Sequence, residues 1–464
     1  MKLFQERSSR KIVVLEKQGS TEYFCKVYDA SDFLSRMRNR FFPKTLKEAD
    51  MLGRLKEKGL PVPEIQGHML HAGASALITR AIEPAQSLWE VDPSIRGTIM
   101  LEMAVLLLKH GFSHRDMHPG NIILDSSGRA FLIDAYEISA HGRIGKREII
   151  RLFAQIFNAS NISPADLEKH LVGFQHIDDS ATLAAKIVRS ALRTKRRYVR
   201  KRVKRSMREG SFSTVLKTGN FSAWIRRGEA IDVESIIARH EANLANGIDI
   251  LKVQDKTQLS RVDQYCVKSY RKSWPFGEPY ARRSWKGLLT LVFNGIKTAG
   301  PVALVVFKDG RSSLITSVLD HQDLDQFIGE SYRTLDMHER IGIARAFGSV
   351  IGTLHSRRIY HADLKACNIK IDPETREFFF LDTDRVGQQR HLSKDRVYEN
   401  LVQINTSIPR FVSRGERMSF INAYAARTGQ NPKEVFIRVW ELSRTRGILY
   451  CSSEGDRFEG WIEK

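Results

Sequence analysis

One pattern occurs twice, and it limits the fold more than any other feature of the chain. His114 to Asp134 reads HRDMHPGNIILDSSGRAFLID, with Asp116 five residues before Asn121 and Asp134 thirteen beyond that asparagine. His361 opens a second copy, HADLKACN, with Asp363 five residues before Asn368 and Asp382 fourteen beyond it. In each copy an apolar, strand-like run delivers the last acid. A single match of this kind is what chance supplies in a long chain. Two, at matched spacing and each ending a strand, imply a duplicated unit.

A chain of 464 residues has room for two or three domains, in keeping with the duplication, and its 42% apolar content supports full cores. The formal charge of +21 calls for an anionic partner: nucleic acid, a phospholipid surface or phosphorylated substrates. The four cysteines (Cys25, Cys266, Cys367, Cys451) are scattered and form no CxxC pair. That spacing argues against zinc and against a disulfide framework, and fits a reducing cytosol. MKLFQERSSRK lacks the apolar run of a signal peptide, and no segment approaches the length of a membrane span.

In the first half, apolar and polar residues alternate through KIVVLEKQ and EYFCKVY, which predicts antiparallel strands with Lys26 on the last of them. Leu46 to Gly59 has helical spacing and carries Glu48. Ser75–Leu88 is a strand running into an irregular link, and Ile95 to Gly111 is a buried helix leading to the loop at Asp116. His114 is expected to be a packed loop residue. His118 is left open between substrate contact and shaping the loop before Pro119.

From Arg193 to Arg208 the chain holds ten Lys and Arg and no acid. A solvated helical connector and a footprint on anionic lipid head groups are both open readings. Only one aromatic, Tyr198, interrupts the tract, which argues against nucleic acid. The Gly- and Ser-spaced residues that follow are expected to complete a linker over 191–230. The second half then repeats the first: a strand with Lys268, a helix, strands PVALVVF and SSLITSVL, a helix from Glu339 to Ser356, and the loop HADLKACN. Aligning Gly295-Ile296 with Gly59-Leu60 puts Ser284 where Glu48 sits, so the acid is missing from this helix. Asp384 is expected to be structural or to pair with Arg385. Neither half has a glycine-rich turn; Ser8, Ser9 or Ser260 is expected to line it instead.

These residues resemble the protein-kinase signature set, and within it the lipopolysaccharide kinase (Kdo/WaaP) family. The likeness rests on HRDMHPGN and HADLKACN, on the endings LIDAYE and LDTDRV, on the link GLPVPE, and on INTSIPRFVSRGERMSFINAY near the end. The resemblance implies an α+β fold of two tandem bilobal domains, each with a small antiparallel-sheet lobe and a mainly helical lobe, over 1–190 and 231–464. It implies ATP and Mg²⁺, gripped by Lys26 and Lys268, with Glu48 holding the first lysine. Asp116 and Asp363 would accept or orient the acceptor proton, with Lys365 neutralising phosphate; Asn121, Asp134, Asn368 and Asp382 would bind metal. It further implies phosphorylation of a Kdo or heptose hydroxyl of the lipopolysaccharide core. The enzyme is then expected in the cytoplasm, peripheral on the inner membrane through residues 193–208. Alternatives are an atypical protein kinase and a pseudokinase scaffold with one or both copies inactive.

Overall fold

A computed structural model describes residues 11–461, apart from 19–20, 29–40, 42, 72–73, 84, 161, 163, 173–178, 273–276 and 453–454. Internal contacts divide the chain into two units, Met1–Lys195 and Arg196–Lys464.

Alternating residues make the first unit's sheet. β1 (Lys11–Gln18) and β2 (Thr21–Tyr28) form a hairpin; β3 (Ile65–His71) and β4 (Ala74–Arg80) form another. The order is β1-β2-β4-β3, all antiparallel, with Lys26 of β2 opposite Leu77 of β4. Between the hairpins runs α1 (Lys44–Glu57), which starts after Pro43. Its buried face is Thr45, Glu48, Met51, Leu52 and Leu55, one stripe at helical spacing. Gly59 ends it in the left-handed region at φ 73°, and the Leu60 amide closes back on the Leu55 carbonyl. The larger lobe is built on α2 (Pro93–Lys109), whose Met100, Leu101, Ala104 and Leu107 are buried. This helix hands the chain to the strand Phe112–His114 and so to the first acidic loop.

The second unit opens within α3 (Ser180–Arg205), the helix that carries most of the basic tract. No linker occupies 191–230. Residues 193–205 continue α3, and β5 (Ser213–Lys217) and β6 (Phe221–Arg226) are strands of the second sheet. The glycine and serine content that suggested a connector belongs to turns. Phe221 and Ala223 alternate inward and are buried, pairing with Phe307 and Val305. Beyond this hairpin lie β7 (Ile250–Gln254), β8 (Thr257–Val262), β9 (Tyr265–Tyr270), α4 (Tyr280–Phe293), β10 (Pro301–Phe307) and β11 (Ser312–Ser317).

The sheet order is β5-β6-β10-β11-β9-β8-β7. Its β8-β9-β11-β10 portion repeats the order of the first sheet, and Lys268 of β9 stands opposite Leu314, as Lys26 does opposite Leu77. α4 is framed like α1, by Pro279 before it and Gly295 (φ 66°) after it, with the Ile296 amide closing on Leu291. The second helical lobe centres on α5 (Met337–Ser356), begun by a reciprocal cap between Asp336 and Glu339. A helical tail follows as Lys394–Asn405, Arg414–Thr428 and Pro432–Arg444, and then the paired strands Ile448–Ser452 and Gly455–Glu459.

Candidate active sites

In the first unit β2, α1 and the turn after Leu132 bring three charged groups together. Lys26 Nζ donates to Glu48 Oε1 at 2.6 Å and to Asp134 Oδ1 at 3.0 Å. Glu48 is 1% exposed, so its charge requires that lysine. Burial works against the ammonium, yet the two carboxylates more than offset it and raise the Lys26 pKa above the ordinary lysine value. Asp116 is 70% exposed, on a loop tied down by its neighbours. Its amide donates to His114 Nδ1 at 3.0 Å, and Asn121 Nδ2 donates to its carbonyl at 2.9 Å. His114, fully buried, lies with Nε2 3.2 Å from the Asp134 carbonyl, and burial lowers its pKa to about 4. It is a neutral packed residue, as expected. His118 shapes the loop: its Nδ1 accepts the Gly120 amide at 3.1 Å, while Nε2 lies 3.8 Å from Asp116.

The second unit repeats the loop almost bond for bond. The Asp363 amide donates to His361 Nδ1, Asn368 Nδ2 donates to the Asp363 carbonyl at 2.9 Å, and His361 Nε2 bonds the Leu381 carbonyl. Lys365 adds a cation 3.0 Å from Asp363 Oδ1, at the place His118 takes in the first loop. The lysine clamp is built differently. Lys268 Nζ donates to Asp382 at 2.6 Å and also meets both oxygens of Asp384 at 3.4 Å. Asp384 is therefore a partner of the cleft lysine, rather than a structural residue or a partner of Arg385. It also accepts hydrogen bonds from Tyr270, at 2.7 Å, and from Ser284, so the residue facing Glu48's position still takes part.

Gly287 explains how the acid reaches so far. A Cβ there would overlap the Thr383 carbonyl oxygen, so only glycine lets α4 lie against the turn that carries Asp384. Thr383 in turn donates to the Ser284 carbonyl at 3.0 Å. The corresponding residue of α1, three beyond Glu48, is the buried Met51. Asp382 enters the turn with φ 46°, a conformation that costs a non-glycine residue about 1–2 kcal/mol, whereas Asp134 has φ −118°.

Two family models match the chain. Residues 252–424 match the lipopolysaccharide kinase (Kdo/WaaP) family, and residues 21–141 match the RIO domain. The lipopolysaccharide kinase match lies wholly within the second unit, and the RIO match wholly within the first. The chain thus carries two kinase-like domains in tandem. No curated protein matches it. Among solved structures it is similar to WbdD at 18% identity over 40% of this chain and 48% of that one, with a TM-score of 0.27. A further WbdD structure, described as a bifunctional kinase-methyltransferase, gives 17% over 44% and 52%, again at 0.27. The kinase domain of Mycobacterium tuberculosis PknI gives 14% over 39% and 91%, also at 0.27. The match thus spans about half the length of WbdD.

The groups available to a metal in this lipopolysaccharide-kinase-type domain and its RIO-like neighbour are hard oxygens, which suit Mg²⁺. Asn121 and Asn368 each commit Nδ2 to the loop carbonyl, leaving the amide oxygen as the ligand atom. Asp134 and Asp382 add carboxylates at the lysines. Among the described residues no cluster of three or more His, Cys, Asp or Glu side chains forms a metal site by itself. Of the serines expected in the phosphate turn, Ser8 and Ser9 lie outside the described residues. Ser260 is not in a turn: it is buried in β8 and bonded to His240 at 2.6 Å, and the β7–β8 turn is Asp255-Lys256.

Sequence reasoning missed two functional groups besides Asp384. Gln155 and Gln403 each span a loop, accepting the amide of Met117 or Leu364 on Oε1 and donating Nε2 to the carbonyl of Arg115 or Ala362. They stand 39 and 40 residues beyond Asp116 and Asp363, a repeat that a search for matched glutamines would have found.

Proposed function

We propose that the second domain transfers the γ-phosphoryl group of ATP to a sugar hydroxyl, Kdo or heptose, of a lipopolysaccharide core. The supporting observation is the Asp363–Lys365 pair at 3.0 Å, on a loop held by His361, Asn368 and Gln403. Asp363 would take the acceptor proton as the new O–P bond forms and the bond to the ADP oxygen breaks. Lys365 would neutralise the transferring group, and Lys268 would hold the other phosphates, aligned by Asp382 and Asp384. Mg²⁺, held by Asn368 and Asp382, would supply charge neutralisation. Asp384 acts as a positioning residue in place of the helix glutamate.

The first domain carries Lys26, Glu48, Asp116, Asn121 and Asp134, a set suited to binding the same nucleotide. The protein acts in the cytoplasm, at the inner leaflet, with the basic residues 193–208 toward anionic lipid. Among the described residues no helix is long and apolar enough to cross a membrane.

Purified protein incubated with lipid A–core fractions and labelled ATP tests this. New phosphate on Kdo or heptose, lost in Asp363→Ala and retained in Asp116→Ala, is the expected result. Loss confined to Asp116→Ala assigns transfer to the first domain. Absence of turnover in the wild type with lipid A–core and protein acceptors supports the scaffold reading.

A further inference from the structure

Val199 and Val203 seat the end of α3 on α4, in one core with Ala281, Trp285 and Leu288. With the apolar faces turned inward, the cations of both helices meet along an open groove of about 1000 Å³ in the second unit. Arg200, Lys201, Lys204 and Arg208 line it from the basic tract, and Arg282 and Lys286 from α4. One lining carboxylate, Glu278, is already bonded to Lys286.

The groove also holds buried donors. The Nε groups of Arg196 and Arg282 are shielded from solvent and have no hydrogen-bond partner. Arg282 lies over Trp224 with its guanidinium carbon 5.3 Å from the ring centroid, a cation–π contact that restrains it. Burial and the charges of Arg200, Arg390 and Arg358 all weigh against the Arg196 proton. A concave site with fixed guanidiniums, orphan N–H groups and no spare acid is complementary to a multiply charged tetrahedral anion.

We infer that this groove binds the phosphate groups of an anionic lipid headgroup. Single-stranded RNA fits less well, because both nearby aromatics are engaged: Trp224 by Arg282, and Tyr198 by Arg202 through its hydroxyl at 2.8 Å. The choice of a lipid source rests on the acceptor reading above; the phosphate chemistry does not. It adds to that reading a defined pocket, which uses α4 as well as the basic tract.

The test uses the full chain without ATP, on phosphatidylcholine vesicles with or without lipid A, and compares two paired charge reversals. Arg200→Glu with Lys204→Glu alters the groove at exposed positions. Arg438→Glu with Arg444→Glu makes the same change in charge at exposed positions of a helix that does not line the groove. At about 1 kcal/mol per basic residue near a charged surface, losing the two cations alone costs roughly thirtyfold, so the reversed groove pair should lose at least that much in binding to lipid A vesicles. The control pair should lose far less.

Equal loss in both pairs would overturn the inference in favour of net charge. Binding of pyrophosphate but not vesicles, lost in the groove pair, would overturn the lipid source. Binding of poly(U) but not vesicles would replace lipid by RNA. If lipid A binding is lost in the groove pair while no core sugar is ever phosphorylated, the groove stands and the acceptor reading falls.

Discussion

In the first domain the acid that meets the cleft lysine sits on a helix; in the second it sits on the turn after Asp382, a hundred residues beyond the matching helix position. The two solutions exchange side chains as pairs. Glu48 with Tyr136 becomes Ser284 with Asp384, and Met51 becomes Gly287, which admits the turn. The lesson is that the cleft constrains the charge around the lysine, while the backbone element that supplies it is free to change. The same does not hold for the loops of Asp116 and Asp363, where His114/His361, Asn121/Asn368 and Gln155/Gln403 keep the same bonds in both units.

The sharpest way to break this comparison is to remove the loop acids one at a time. Asp363→Ala should lower the rate of transfer by about 10³–10⁴, and Asp116→Ala should leave it near wild type, measured with saturating ATP and core acceptor. The reverse result would exchange the roles of the two domains.

A smaller effect concerns acid stability. His114 has a folded pKa of about 4 against an ordinary histidine value near 6.5, so the unfolded chain binds its proton first. Its contribution is present above about pH 6.5 and is lost as the pH falls toward 4, up to about 3 kcal/mol in all. Protonating Nδ1 would set two donors, that nitrogen and the Asp116 amide, against each other. Denaturant unfolding of the wild type between pH 7 and 4.5 should therefore show a steeper decline than that of His114→Asn. Parallel curves would mean the ring is not held neutral.

Asp384→Ala should raise the KM for ATP and lower kcat, together roughly tenfold to a hundredfold, because Lys268 keeps Asp382 but loses its second anchor. Adding Ser284→Glu to that variant should restore part of the loss by returning the acid to the helix. A purely structural role for Asp384 predicts a drop in Tm with no rescue by the glutamate. Gly287→Ala should mimic the loss by pushing the turn away from α4. The smallest expected effect belongs to the loop anchors: Gln403→Ala should destabilise its domain by about 1–2 kcal/mol and lower kcat, and Gln155→Ala should give the stability loss alone.

Much of this was legible from residue order. The strand bearing Lys26, the helix bearing Glu48 and the strand ending in Asp134 follow from alternation, helical spacing and the repeated acidic loop. Asp384 was not, since an alignment can report that Ser284 is no acid but cannot fold a distant turn against it. The hairpin at 213–226 resembles a linker in sequence for a related reason. Its turns are rich in glycine and serine, and its pairing partner, Pro301–Phe307, lies some eighty residues away. Contacts formed over such separations leave little trace in local composition.

That hairpin has a practical consequence for anyone dividing the protein. Phe221–Arg226 covers one flank of Pro301–Phe307, whose first five residues are buried. A fragment starting at residue 231 would bare a seven-residue, valine-rich rim with unsatisfied amides, ready to recruit other copies into mixed sheets.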